Sequence, residues 1–398
     1  MKPEQLDAVI SLASNSPGAP TGYGQQAQYL VERFVRHGIR TAALSNYGLE
    51  ARIDELKVKG GKVTHYPKGL TPYSDDVMPQ YHAQHRAGHE DKPPALMTLY
   101  DTWVYQNPKL DEVPIVSWVP LDHVSMPPGV AKWVMKDNVT PVAMSPHGQR
   151  QMEQAGIESV YIPHMIDTKV YSPTDLFDTV PTREFMQVPE DAFLIGMVAA
   201  NKANKVLHRK AYGENLLAVA LYMKENPNAY LYIHTEPTAA YGGFNLPKLL
   251  QACGIEPEKV IFPDPMNLRY GYTQKQMAAL YTAFDVLLAP SYGEGFGVPK
   301  IEAQATGTRV IASSWAACQD LVSEDSWLVE GNPFWDEGQQ SWWKIPDVTS
   351  IFGALRVAGE ADRGMSQIAI DFASQFAVET VWDNHWLPFF KGYWSLDS

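Results

Sequence analysis

Ser291-Tyr292-Gly293-Glu294-Gly295-Phe296-Gly297-Val298-Pro299-Lys300-Ile301-Glu302 follows an apolar run, Val286 to Ala289, and leads into residues with helical spacing. A short strand, a glycine-rich turn and a helix in that order place the turn at the carboxyl end of a parallel strand, where ligands of such sheets bind. Glycines let backbone N–H groups approach an anion closely, and the N-terminus of the following helix adds about half a positive charge. A diphosphate is the natural occupant. Two carboxylates, Glu294 and Glu302, have seven residues between them, one in the loop and one a turn inside the helix, so they serve different groups. A carboxylate beside a phosphate-binding turn repels the phosphate unless it points at hydroxyls, which makes sugar or ribose hydroxyls its partners.

Working outward, strand and helix patterns alternate through the whole second half: strand Phe193 to Ala199, helix Ala211 to Asn226, strand Tyr230 to Thr235, helix Leu246 to Cys253 and strand Val260 to Phe262. A helix from Gln274 to Phe284 opens on a capping box of Thr273 and Gln276. The glycine loop leads into a helix from Val298 to Thr306, and strands at Val310 to Ala312 and Trp327 to Val329 follow. Alternation of this kind specifies a parallel sheet.

The first half repeats the plan. Ala8 to Ala13 reads as a buried strand, Ser14 to Gly24 as a loop, and Tyr23 to His37 as a helix with Ala27, Leu30, Val31, Phe34 and Val35 on one face, closed by Gly38. Further strands are expected at Ala95 to Tyr100, Pro114 to Val119 and Val142 to Met144, the last running into Ser145-Pro146, an N-cap with proline at the first helical position. Between Tyr161 and Pro189 periodicity fades while prolines recur, a composition suited to a linker. Two α/β domains are expected, residues 1–170 and 171–374, with helices from Gln375 onward returning to the first. Trp382, Trp386, Phe389, Phe390, Tyr393 and Trp394 form an aromatic stripe in that tail, and with only Lys391 basic there, core packing is preferred to a membrane surface.

A chain of 398 residues, 45% of them apolar, can bury a large core. Its net charge of −13 argues against general affinity for nucleic-acid backbones. Cys253 and Cys318 suggest neither a disulfide framework nor a zinc cluster, and a reducing cytoplasm suits them. No apolar run is long enough to span a membrane, and Met1 to Ala13 lacks the features of a secretion signal. His82, His85 and His89 sit at helical spacing, but only Glu90 is at hand to complete a tetrahedral site, so no metal is expected.

The stretch from Leu280 to Ala312, with Pro290-Ser291, Glu294-Gly295-Phe296-Gly297, Pro299, Glu302-Ala303 and Gly307, resembles the family 4 retaining glycosyltransferases of the GT-B fold. The resemblance implies two Rossmann-like domains facing across a cleft. It implies that Glu294 contacts a donor sugar, that Glu302 holds the ribose diol of a nucleotide, and that the amides of Gly295, Phe296, Gly297 and Val298 face its diphosphate. Gly196-Met197-Val198 followed by Arg209-Lys210 is similar to the family's glycine strand and diphosphate-binding basic pair. The intervening Asn201 to His208 loop is longer and more basic than in the family, so Lys202, Lys205, Arg209 and Lys210 all remain candidates, Lys210 first. Gly22-Tyr23-Gly24 is similar to the loop the family places between acceptor and donor phosphate, with a plain helix-entry loop as the other reading. Asp122-His123, following a strand at its carboxyl end, resembles the family's acid or histidine near the reacting sugar carbon, or else is a capping aspartate beside a surface histidine. Arg309 replaces a frequent proline, with no evident purpose.

What this implies is a transferase that uses a nucleotide-diphosphate sugar as donor, without metal or other cofactor, retains anomeric configuration and acts on an unidentified acceptor. Alternatives are a nucleotide-sugar epimerase or hydrolase on a similar fold, a non-catalytic sugar-nucleotide-binding module and, with no lysine-centred cofactor motif to support it, a pyridoxal-phosphate phosphorylase.

Overall fold

The computed structural model describes residues 3–203, 207–240 and 242–396. Its contacts divide the chain into two units: Met1–Leu121 with Ser125–Met165 and Val378–Ser398, and Asp122–Val124 with Ile166–Ala377. Each is built on a Rossmann-like parallel sheet, the α/β architecture expected.

Among its described residues the first unit has eight strands, in the order Asp54–Val58, Gly61–Tyr66, Arg40–Ser45, Val9–Ser14, Pro94–Thr98, Ile115–Val119, Val139–Ala143 and Val160–Tyr161. All neighbours run parallel except the first two, which form a hairpin. Val9–Ser14 is buried along its whole length, the mark of a strand covered on both faces. Helix Gly22–Arg36 starts where the Thr21 side chain accepts a hydrogen bond from Gly24 N at 3.0 Å and ends before Gly38, whose φ of +75° only glycine adopts without cost. Its apolar face buries Ala27, Leu30, Val31 and Phe34. Ser145 caps the helix Pro146–Gln154 as expected, accepting from Gly148 N.

Three strands of this sheet have no clear sequence pattern. Asp54–Val58 carries Asp54, Glu55 and Lys57, and it is held as an edge by the register Leu56 opposite Val63 rather than by alternation. Arg40–Ser45 and Gly61–Tyr66 likewise lack the expected signal and are set by their pairing to each other, Ala43 opposite His65.

The tail belongs to this unit. Trp382, Trp386 and Phe390 are fully buried, with Trp382 Nε1 donating to His37 Nε2 at 2.9 Å and Phe34 meeting both Trp382 and Phe390 edge-on. Glu379 pairs with Arg33 and Arg36 on the same helix. The aromatic stripe is therefore core, and one π-helical turn, Trp382–Trp386, aims its rings inward. Among the described residues no helix is long and apolar enough to cross a membrane.

The second unit's main sheet has six strands among its described residues, ordered Val260–Ile261, Ala229–His234, Phe193–Val198, Val286–Leu288, Val310–Ser313 and Trp327–Val329, all parallel. From Phe193–Val198 the chain adds strands outward in one direction, then returns at Val286–Leu288 and adds them in the other. Such a reversal opens a crevice at the carboxyl ends of its two central strands. The capping box at Thr273 and Gln276 forms as expected. The sequence reading missed an antiparallel hairpin, Gly331–Asp336 with Ser341–Pro346. It pairs with Val124, whose N–H donates to Trp342 O and whose carbonyl accepts from Trp342 N, each at 3.0 Å.

Candidate functional site

At the strand reversal a pocket of about 30 Å³ is lined by residues that include Met197, Lys210, Asn215, Ser291, Glu294 and Lys300. The glycine loop above it is tied down at its start. Ser291 N donates to Ser313 Oγ at 3.0 Å, and that hydroxyl donates back to Ser291 O at 2.6 Å. Tyr292 N donates to Arg209 O at 2.8 Å, and Asn215 Nδ2 reaches Pro290 O at 3.1 Å. The loop and the Arg209-Lys210 segment are thereby held as one piece. Gly297 adopts φ +91° and starts the helix Val298–Ala305; a side chain there would be strained.

Glu294 is the electrostatic centre of this site. Its carboxylate pairs with Lys210 Nζ through one oxygen and with Arg209 Nη1 at 3.0 Å through the other. Burial pushes its carboxyl up, but Arg209, Lys210 and Lys300 together hold it well below the usual carboxylate range. Lys210 is pulled down by burial, an effect that Glu294 partly offsets. The basic pair is therefore not a solvated run of charge: the Lys210 side chain is only 24% exposed.

Asp122 and His123 fall in the same unit. His123 is 3% exposed, not a surface residue. Its Nδ1 lies 2.7 Å from Asp122 Oδ1 and its Nε2 lies 3.2 Å from Asp336 Oδ2, while Trp343 stacks on the ring with centroids 4.5 Å apart. Asp122 Oδ2 lies 3.9 Å from Arg209 Nη1. Burial raises the Asp122 carboxyl, but the His123 hydrogen bond and charge, together with Arg209, hold it below the usual range. Asp122, His123, Arg209, Lys210 and Glu294 thus form one continuous chain of polar contacts. Asp336 and Trp343 were missed, because they reach it only through the unforeseen hairpin.

Glu302 sits in helix Val298–Ala305 and accepts the Tyr281 hydroxyl at 2.9 Å. It is separated from Glu294 as the spacing demanded. The Phe296 side chain is buried edge-on against Phe376, leaving its backbone as its contribution to the loop, and Val298 begins the helix. Asn201 and His208 bridge the long basic loop, Asn201 Oδ1 lying 2.9 Å from His208 Nε2. Lys202 is exposed, and Lys205 lies outside the described residues. Arg309 has a structural purpose, donating to Asp325 Oδ2 at 2.9 Å.

The remaining candidates lie in the first unit. Gly24 is required by packing, since a side chain would come within 2.5 Å of Ala19 O, whereas Gly22 has open space around it. His82 and His85 are buried, which lowers both to about 4 and leaves them neutral at pH 7. His82 Nδ1 lies 3.0 Å from Ser11 Oγ and His85 Nε2 lies 3.3 Å from Arg40 O. Among the described residues no group of three or more His, Cys, Asp or Glu side chains is placed to hold a metal ion.

Residues 207–335 match the family model of the glycosyl transferases group 1. D-inositol 3-phosphate glycosyltransferase of Streptomyces avermitilis is 31% identical over 157 residues, covering 38% of this chain and 32% of that protein; the match spans about a third of the length of such curated relatives. Among solved structures, sucrose-phosphate synthase from Thermosynechococcus elongatus superposes with a TM-score of 0.71 at 16% identity, covering 97% of this chain and 99% of that one. A glycosyltransferase from Rickettsia africae gives 0.68 at 14%, over 99% and 100%. Residues 207–335 are therefore similar to the group 1 glycosyl transferases, and the chain that carries them has the GT-B fold of these solved structures.

Proposed function

We propose that this chain is a glycosyltransferase that moves a sugar from a nucleotide-diphosphate sugar to an acceptor hydroxyl, with retention of configuration and without a metal. The observation that carries this reading is the pairing of Glu294 with both Arg209 and Lys210 beneath a glycine loop and a helix N-terminus. Two cations face one carboxylate there. An arriving diphosphate takes over the cations, and Glu294 turns to the hydroxyls of the donor sugar. Glu302 holds the ribose diol, alongside the Tyr281 hydroxyl it already accepts.

Transfer breaks the bond between the anomeric carbon and the diphosphate oxygen, and the electron pair leaves with the diphosphate. Arg209, Lys210 and the loop amides are fixed in advance where that charge develops, which is the most effective form of electrostatic stabilisation. The acceptor oxygen bonds to the same face of the anomeric carbon and its proton passes to the departing phosphate oxygen. Asp122 and Asp336 hold the His123 ring in one orientation beside this machinery. No side-chain nucleophile is required. Gly22, in the first unit, leaves room for a close backbone approach by the acceptor. A cytoplasmic setting belongs to the same proposal, as a reducing compartment suits the free thiols Cys253 and Cys318.

The test is a thermal-shift panel of UDP, GDP, ADP and their sugars, followed by assay of the stabilising donor with and without acceptor. Inositol phosphate is the first acceptor to try, given the names of the relatives. A ligand at one hundred times its dissociation constant stabilises by about 2.7 kcal/mol. Conversion of the donor with no acceptor present would favour the epimerase or hydrolase, and tight binding without turnover on any acceptor the binding module.

A further inference from the structure

Lys300 breaks several local rules at once. It is the third residue of the helix Val298–Ala305, where a cation opposes the helix dipole. It is also only 2% exposed, and lysine is almost never fully buried without a partner. Among the described residues no carboxylate forms an ion pair with it, and the acceptor its Nζ does find is the thiol of Cys318, 3.4 Å away and itself fully buried. A thiol is a weak acceptor and an ammonium has three protons to give. A buried cation so poorly matched is costly, and such departures from local consistency concentrate at functional sites.

The position of the ammonium explains the exception. Nζ lies directly beneath the glycine loop: a side chain on Gly297 would come within 2.3 Å of it. Lys300 lines the same pocket as Lys210 and Glu294, and its charge acts on both. With Arg209 and Lys210 it makes three cations around Glu294, and with Asp122 3.9 Å from Arg209 counted as well the cations still outnumber these two carboxylates. That excess of positive charge suits an anionic diphosphate and exceeds what a neutral sugar needs.

We propose that Lys300 is a donor-binding residue, giving hydrogen bonds from beneath the loop to the non-bridging oxygens of the nucleotide sugar's diphosphate, with the Cys318 thiol as the positioning group that holds its ammonium in place. This rests on the reading of the site as a nucleotide-sugar site. Lys300 then differs from Lys210 in origin and direction: one cation comes from the helix after the loop, the other from the segment after Phe193–Val198.

The test compares wild type with Lys300→Met and Lys300→Gln by calorimetry, using whichever of UDP, GDP and ADP binds the wild type, together with the corresponding nucleoside. Loss of a charge-assisted hydrogen bond should weaken diphosphate binding by roughly ten- to hundredfold, with nucleoside affinity nearly unchanged. Without ligand, Lys300→Met should melt no lower than wild type, because a costly buried charge has gone. Equal diphosphate affinity in a folded variant overturns the assignment, as does failure of both variants to fold, which would make the ammonium structural. If the wild type binds none of the three diphosphates, the nucleotide-sugar reading itself fails, an outcome distinct from a variant that matches a binding wild type.

Discussion

His123 Nε2 lies 3.2 Å from Asp336 Oδ2, although 213 positions separate the two residues in the chain. The contact exists because Val124 pairs with Trp342, which brings the hairpin Gly331–Asp336 and Ser341–Pro346 against the segment that carries His123. Trp343 closes the arrangement by stacking on the ring. His123 therefore has a carboxylate at each nitrogen and an aromatic face behind it, a geometry that leaves the imidazole little freedom.

Asp336→Asn should lower turnover by roughly tenfold or more, the size of one charge-assisted hydrogen bond, while leaving nucleoside-diphosphate affinity near that of wild type. The split separates orientation of His123 from donor binding. Steady-state kinetics beside calorimetry decide it, and a fall in affinity alone would assign Asp336 to the donor site instead.

Glu302→Ala should weaken nucleoside-diphosphate binding, because two ribose hydroxyls lose a charged acceptor. It should also cost about 1–3 kcal/mol of stability, since the fully buried Tyr281 hydroxyl loses its acceptor. Tyr281→Phe separates the two effects: it should keep most of the affinity, as Glu302 remains. Similar affinity in all three proteins would reject the ribose role.

Lys210→Ala should reduce turnover at saturating donor by about 10²–10³, the loss seen when one preorganised stabiliser is removed from a dry site. Glu294 keeps Arg209 as a partner at 3.0 Å, so the variant should still fold. Near wild-type turnover in the folded variant removes Lys210 from the mechanism and turns attention to Arg209.

The pH dependence of stability should carry the mark of Glu294. Its folded carboxyl is held below the ordinary value by Arg209, Lys210 and Lys300 against the upward push of burial. A depressed carboxylate stabilises fully above its unfolded value, about 4.3, and loses that contribution as pH falls through the folded value. Glu294→Gln should thus melt below wild type at pH 7, with the gap closing as the pH drops below about 4. Melting scans from pH 7 to pH 3 check this; a gap that stays constant would show that the ion pairs are not its source.

Activity should persist in excess EDTA, since Arg209, Lys210 and the helix N-terminus supply the positive charge that a divalent ion would otherwise bring. Loss of turnover restored only by added Mg²⁺ or Mn²⁺ overturns the metal-free part of the mechanism.

Much of this was legible in the amino-acid order, because the decisive signals are local. A strand, a glycine turn and a capped helix are each specified within a dozen residues, and so the loop from Ser291 to Glu302, the different surroundings of its two glutamates and the alternation that makes two parallel sheets could all be read directly. The caps at Ser145 and Thr273 and the inward face of helix Gly22–Arg36 belong to the same class, each set by neighbours three or four positions away. What only the tertiary structure decided are contacts between residues far apart in the chain. Strand Asp54–Val58 is polar enough to pass for a loop and becomes a strand because Gly61–Tyr66 lies beside it. Lys300 was visible as a letter in the motif, but its burial against Cys318 was not. Asp336 gave no signal at all, since nothing near it in sequence needs a carboxylate; it matters because backbone pairing between Val124 and Trp342, specified by hydrogen bonds that any residue can make, carries it to His123.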